Sequence, residues 1–324
     1  MGACFDGGRA GVGAHGAGAA DGSRAESESR PAAPRATLLR CLCAELLKLR
    51  GSRMVAIHLA IALGVPLIFV AYYAVSEALG PAAKLAAFVQ VIACGMTFVA
   101  GFIAGFAAED EWSATHLQAV LGAPSRVRAA AAKLLVYLGL ALACLALALC
   151  VFVVGMGLAG QPVWDATVGA TVGGGVAAGA DVVSGAGLGL LVAQFALIFL
   201  GSIPCYVLAF WVSLAFGRNA GFGVGILGLL VSLVLLTGLG DGIWPYVPWA
   251  WPERLAAMLP DALQIAGGAL PGGLAGLEPQ FAAAVSARYL GFYHFGLIAC
   301  LMASAVLIVA AGIWVARTDG RRAE

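Results

Sequence analysis

Glu109, Asp110, Glu111 and His116 form the one cluster in this chain whose residue types suit acid–base or metal chemistry. Carboxylates beside an imidazole are what a membrane-embedded, lipid-modifying enzyme would hold at one interface. Their spacing argues against it, because there is no H-E-x-x-H pattern and no second ligand pair. The four histidines, His15, His58, His116 and His294, are far apart in sequence, and His58 and His294 read as packed or interfacial rather than metal-binding. Cys41-x-Cys43 likewise has no partner pair, so zinc is not expected there. The lysines are Lys48, Lys84 and Lys133, none of which follows a glycine, so no P-loop exists to cradle a nucleotide. No catalytic residue and no cofactor is therefore assigned to the chain, and no nucleic-acid partner is expected.

The acidic triplet opens the stretch Glu109–Lys133, the longest charged interruption in the apolar part of the sequence. Ser113 can cap a short helix with Leu117, Val120 and Leu121 on one face, and Gly122 with Pro124 then stops it. Ser125 can cap the next helix, which carries Arg126, Arg128 and Lys133 back into an apolar run. Such an amphipathic element between two spans is a handle that a soluble protein can grip. From spacing alone, a solvated loop with basic anchors is the better account.

A chain that is 62% hydrophobic and 11% charged, with mean hydropathy +0.96, is an integral membrane protein rather than a soluble domain. The expected architecture is all-α. Residues 1–36 read as a disordered tail rich in Gly, Ala, Ser and Arg, with no apolar core for a signal peptide. Residues 37–53 read as an amphipathic interfacial helix with Leu38, Leu39, Leu42, Leu46 and Leu49 apolar, and with Glu45 and Lys48 placed to pair at i,i+3. Residues 54–316 hold six spanning candidates, Met54–Val75, Leu85–Ala108, Leu134–Leu158, Leu188–Phe216, Gly221–Leu239 and Phe292–Val315. Residues 317–324 are a basic tail. Pro204 should free a carbonyl one turn back in the fourth span, and Gln161–Gly187 reads as a glycine-rich external loop.

Lys and Arg set the expected orientation, with both termini cytoplasmic. On that assignment Lys84, Arg254 and Arg288 are the only basic residues outside. Gly101-x-x-x-Gly105 and Gly221-x-x-x-Gly225 have close-packing spacing, a weak signal in a chain with 45 glycines. The external segment Gly240–Gly291 opens with Trp244, Tyr246, Trp249 and Trp251, aromatic residues suited to the headgroup layer as an outer rim. Pro252 suits the first turn of a short helix that Pro260 closes, and Asp241, Glu253 and Asp261 add negative charge nearby. An interfacial anchor is the plainer account of that rim. An outer gate is the functional one.

None of the six predicted spans contains Asp, Glu, Lys or Arg, which ion-coupled transporters usually bury. Energy for any transport would then come from a partner. The segment AELLKLRGSRMVAIHL, with Glu45 and Lys48, resembles the surface helix of ABC-2 type permeases. Glu109 and Glu111, then Leu117, Leu121, Pro124, Ser125, Arg126 and Lys133, resemble the loop after the second span in that family. The block GDGIWPYVPWAWPERL resembles the sequence before the last span of lantibiotic-protection permeases of the MutG/MutE-like group. The long N-terminal tail and the Gln161–Gly187 insert depart from that pattern. The resemblance implies a coupling helix that docks on an ABC ATP-binding subunit, with ATP bound by that partner. It also implies a second permease subunit, a lipid environment, and export of a cationic amphipathic peptide for self-protection. A permease for another hydrophobic substrate (a drug or a lipid) and a lipid-modifying enzyme are the alternatives, and a non-transporting membrane anchor or sensor is a third.

Overall fold

The computed structural model describes residues 37–50, 52–76, 80–112, 125–161, 184–268, 270 and 278–317. The described residues form α1 (Leu38–Lys48), α2 (Arg53–Val75), α3 (Pro81–Trp112), α4 (Arg126–Leu158), α5 (Ser184–Phe216), α6 (Arg218–Leu236), α7 (Trp251–Ala266) and α8 (Pro279–Arg317). Three single 3₁₀ turns, Gly238–Gly240, Trp244–Tyr246 and Pro248–Ala250, lie between α6 and α7. The fold is an all-α integral membrane protein. Six helices, α2 to α6 and α8, are long and apolar enough to cross a bilayer. The proposed tail 1–36, the insert residues 162–183 and the basic residues 318–324 lie outside the described set.

Five of the six spans exceed the apolar runs that announce them; α6 keeps its length but is displaced, running Arg218–Leu236 rather than the expected Gly221–Leu239. Helix α3 continues past Ala108 through the acidic triplet to Trp112, and α4 already begins at Arg126. Once a helix is propagating, each further residue adds a hydrogen bond, so charged residues extend it beyond its apolar stretch. Ser125 caps α4 as expected, its Oγ accepting from the Arg128 amide at 3.4 Å. In α1 the Glu45–Lys48 pair closes at 2.6 Å. No described residue of α1 is buried, and Leu39, Leu46 and Leu47 are exposed.

Helices α3 and α5 are the most enclosed of the six. The two glycine pairs that looked weak in isolation face each other across α3 and α6. A Cβ on Gly101 would lie 2.3 Å from the Gly225 Cα, and one on Gly221 would lie 2.9 Å from the Gly105 Cα. The backbones therefore touch, which only residues without side chains permit. Gly217, at φ +88°, is the whole connection between α5 and α6, in backbone space that favours glycine. This tight turn returns Arg218 to the end of the bundle where α3 finishes.

Two interior prolines are compensated by side chains of neighbouring helices. Pro204 lacks the N–H that would bond the Leu200 carbonyl, and the Cys300 thiol of α8 donates to that oxygen at 3.6 Å. Pro260 does not close α7; the helix runs through it to Ala266. The carbonyl it frees, Ala256 O, accepts from Gln194 Nε2 of α5 at 3.0 Å. A satisfied carbonyl removes much of the penalty that would have ended the helix. Gln194→Leu leaves that buried oxygen without its donor. The expected outcome is a loss of about 1–3 kcal/mol, read as a lower melting temperature of the detergent-solubilised protein.

Candidate functional site

At one end of the bundle, Glu109 near the end of α3 and Arg218 at the start of α6 form an ion pair at 2.5 Å. The Arg218 guanidinium also stands over the Phe222 ring, 5.6 Å from its centroid. The pair is solvent-accessible and contributes little to stability alone. Its position matters more, because it pins the exit of α3 to the return of α6. Of the other coupling residues expected from sequence, Arg126 begins α4 and is half-buried. Glu111 lies in the last turn of α3, but its side chain is outside the described set, as are Leu117, Leu121 and Pro124 altogether. Trp211 and Trp314 meet edge to face at 6.4 Å, so α5 and α8 bring their tryptophans to a common level.

The opposite end departs most from expectation. Lys84 is buried rather than a free outer charge; its Nζ donates to Tyr73 O at 2.9 Å and to Gln161 Oε1 at 2.6 Å. One ammonium thereby gathers the ends of α2 and α4 onto the start of α3.

The aromatic block is largely a plug rather than a rim. Trp244 and Trp251 are buried and Trp249 is half-buried; Tyr246 alone of the four is exposed. Glycines on the spans accept the block. The Trp244 ring fills the space over Gly296 of α8, and the Trp249 indole fills the space over Gly228 of α6. The Pro252 backbone seats on Gly201 of α5. Trp251 Nε1 donates to Pro245 O at 3.0 Å, so its polar atom is satisfied within the block and needs no headgroup water. Packing against helix glycines has overridden the interfacial preference of these rings.

Helix α7 then aims an acid inward. Glu253 is fully buried, its Oε2 accepting from Cys94 Sγ of α3 at 2.8 Å and from Ser232 Oγ of α6 at 3.0 Å. Oε1 has no hydrogen-bond partner among the described residues. Burial pushes this carboxyl up to about 7, against the opposing pull of the two hydrogen bonds and of the Arg254 charge. Glu253 therefore supplies no surface charge. It lies in none of the six spans and enters the bundle from the connecting segment. Among the described residues it joins no chain of titratable groups and holds no metal-type cluster. The arrangement fastens α7 to α3 and α6.

Arg254 caps the end of α6. Its Nε donates to Leu235 O at 2.8 Å, Nη2 donates to Thr237 O at 2.7 Å, and Nη1 meets Asp241 Oδ1 at 2.9 Å. A cation on the last carbonyls of a helix satisfies groups that have no intrahelical donor. Asp261 lies within 3.4 Å of the Tyr289 hydroxyl, and burial raises its carboxyl above the ordinary range. The three carboxylates expected to give the outer face negative charge are thus buried, ion-paired or hydrogen-bonded.

Residues 41–178 match the family model described as ABC-2 family transporter protein. The match runs from α1 through α4 and includes the α3–α4 connection. No curated protein and no solved structure matches the chain.

Proposed function

We propose that the chain is the permease subunit of an ABC exporter and that its α3–α4 connection receives the ATP-binding subunit. The family match over residues 41–178 carries this reading, because it encloses that connection. The geometry gives the docking a consequence. A push on the connection acts on the Glu109–Arg218 pair, and through it on α3 and α6 together. Those two helices touch backbone to backbone along Gly101, Gly105, Gly221 and Gly225, and they also hold Glu253 of α7. Motion applied at one end would reach α7 at the other. In this reading the connection and both termini are cytoplasmic in a bacterial plasma membrane, and a second permease subunit completes the pathway. Helix α1 lies in the lipid interface on its exposed leucines, and residues 54–316 are the transporting unit, flanked by the tails 1–36 and 317–324.

The cargo we propose is a cationic amphipathic peptide of the lantibiotic type, expelled for self-protection. Its support is the resemblance of GDGIWPYVPWAWPERL, together with the exposed Tyr246, which meets Phe295 at 5.3 Å. With Glu253 and Asp261 engaged, recognition would rest on aromatic and apolar surface more than on ion pairing. Strains lacking the transporter should become more sensitive to a pore-forming cationic peptide. If no such peptide changes in potency, the cargo is of another class.

The coupling reading has its own test. Leu117 and Leu121 would each contribute about 1.5–3 kcal/mol if fully buried in a groove of the ATPase. Leu117→Glu and Leu121→Glu should each weaken capture of the ATP-binding subunit by roughly tenfold or more, at unchanged expression. Undiminished co-purification in both variants would refute docking at this segment.

A further inference from the structure

We propose that an open pocket between the Asp241 turn, α7 and α8 binds the phosphate of an anionic membrane lipid. The pocket, about 420 Å³, has Asp241, Arg254 and Arg288 among its lining residues, with Met258, Val285 and Phe292 as apolar wall. Its charges are unequal in availability. Arg254 is committed to Leu235 O, Thr237 O and Asp241, and in turn neutralises Asp241. Arg288 is exposed and has no carboxylate at ion-pair distance among the described residues; its guanidinium rests over the Phe292 ring at 5.6 Å. Two guanidinia and one carboxylate leave the pocket one positive charge. Glu253 and Asp261 do not line it. A guanidinium held against an aromatic face, with no hydrogen-bond partner among the described residues, suits a phosphate oxygen pair.

Position selects the source of that phosphate. Arg288 stands one helical turn before the apolar run Phe292–Val315, which is roughly 36 Å long at 1.5 Å per residue. That length matches a hydrocarbon core of about 30 Å, so Arg288 falls at headgroup level while Phe292, Val285 and Met258 offer surface to the adjoining chain. Free inorganic phosphate would share the guanidinium contact but would leave the apolar wall unused.

The test is binding of phosphatidylglycerol to the full-length protein in detergent, followed by native mass spectrometry, with diacylglycerol and inorganic phosphate as comparison ligands. Arg288→Ala should weaken phosphatidylglycerol retention by roughly tenfold or more, Arg288→Lys should retain part of it, and diacylglycerol should not distinguish wild type from Arg288→Ala. An unchanged melting temperature would show that this exposed substitution leaves the fold intact. Failure of millimolar inorganic phosphate to displace the lipid supports the lipid as ligand. Displacement by phosphate, with both ligands lost in Arg288→Ala, keeps the phosphate site but overturns its assignment to lipid. Equal phosphatidylglycerol retention in wild type and Arg288→Ala overturns the site itself. None of these outcomes depends on the exporter's cargo.

Discussion

Leucine at Gly101 or Gly225 will force α3 away from α6 and largely abolish the assembled fold. The Gly101 Cβ would stand 2.3 Å from both the Gly225 Cα and its N, and the Gly225 Cβ would stand 2.8 Å from Phe98 O and 3.0 Å from the Gly101 Cα. These are backbone atoms, so no rotamer change relieves the clash, and the helices must separate along their length. Overpacking a core with movable side chains costs about 1–3 kcal/mol. A clash with backbone should exceed that range. Separation would also strain the Glu109–Arg218 pair and withdraw Cys94 and Ser232 from Glu253. The internal control is Gly139→Ala in α4, where an added Cβ meets nothing within 4 Å. There the alanine should be neutral or stabilising by up to about 1 kcal/mol through helix propensity. Monodispersity and thermal unfolding in detergent distinguish the two cases, and comparable melting for Gly101→Leu and Gly139→Ala would disprove the seam.

The spans were legible because apolar length is a strong signal that local chemistry does not obscure. That Pro204 frees a carbonyl was legible, but the Cys300 thiol donating to that oxygen, Leu200 O, was not, since the donor lies a hundred residues away in sequence. Gly101/Gly105 and Gly221/Gly225 were visible as spacings. Nothing in one strand of sequence says that one pair will face the other. The misreading at Trp244, Trp249 and Trp251 has a clear physical source. Tryptophan prefers a headgroup layer when nothing else accepts it, and the sockets at Gly296 and Gly228 carry no pattern distinguishing them from other glycines. Pro260 reads as a stop in sequence because the donor that takes over the Ala256 carbonyl, Gln194, lies on another helix. Where α3 finishes, Glu109 and Arg126 were legible near helix boundaries, but nothing in the sequence announces that Arg218 pairs with Glu109. For Glu253, nothing local to α7 announces Cys94 of α3 and Ser232 of α6 as its hydrogen-bond donors.

Because Glu253 is buried, the protein should lose stability as pH rises from about 4.5 to about 7. In the unfolded chain the carboxyl has its ordinary value of 4.5, whereas in the folded protein it is pushed up to about 7. Below 4.5 both states hold the proton and the group makes no pH-dependent contribution. Between the two values the unfolded chain releases the proton while the folded one retains it, so ionisation favours unfolding. Above about 7 both are ionised and the cost has reached its full size, about 3 kcal/mol at 1.36 kcal/mol per pH unit. Glu253→Gln removes the titration yet keeps an oxygen to accept from Cys94 Sγ and Ser232 Oγ. Its melting temperature should therefore vary less between pH 5 and pH 8 than that of wild type, and should exceed wild type at pH 8. Glu253→Ala makes a different prediction, since it leaves the Ser232 hydroxyl and Cys94 thiol without an acceptor and opens a void beside them. That variant should be destabilised by about 2–4 kcal/mol near pH 4.5, and the deficit should shrink as the pH rises to 8, because wild type alone takes on the ionisation cost. Parallel pH profiles for wild type and Glu253→Gln would mean that Glu253 stays ionised in the folded protein, with a donor reaching Oε1 from beyond the described residues.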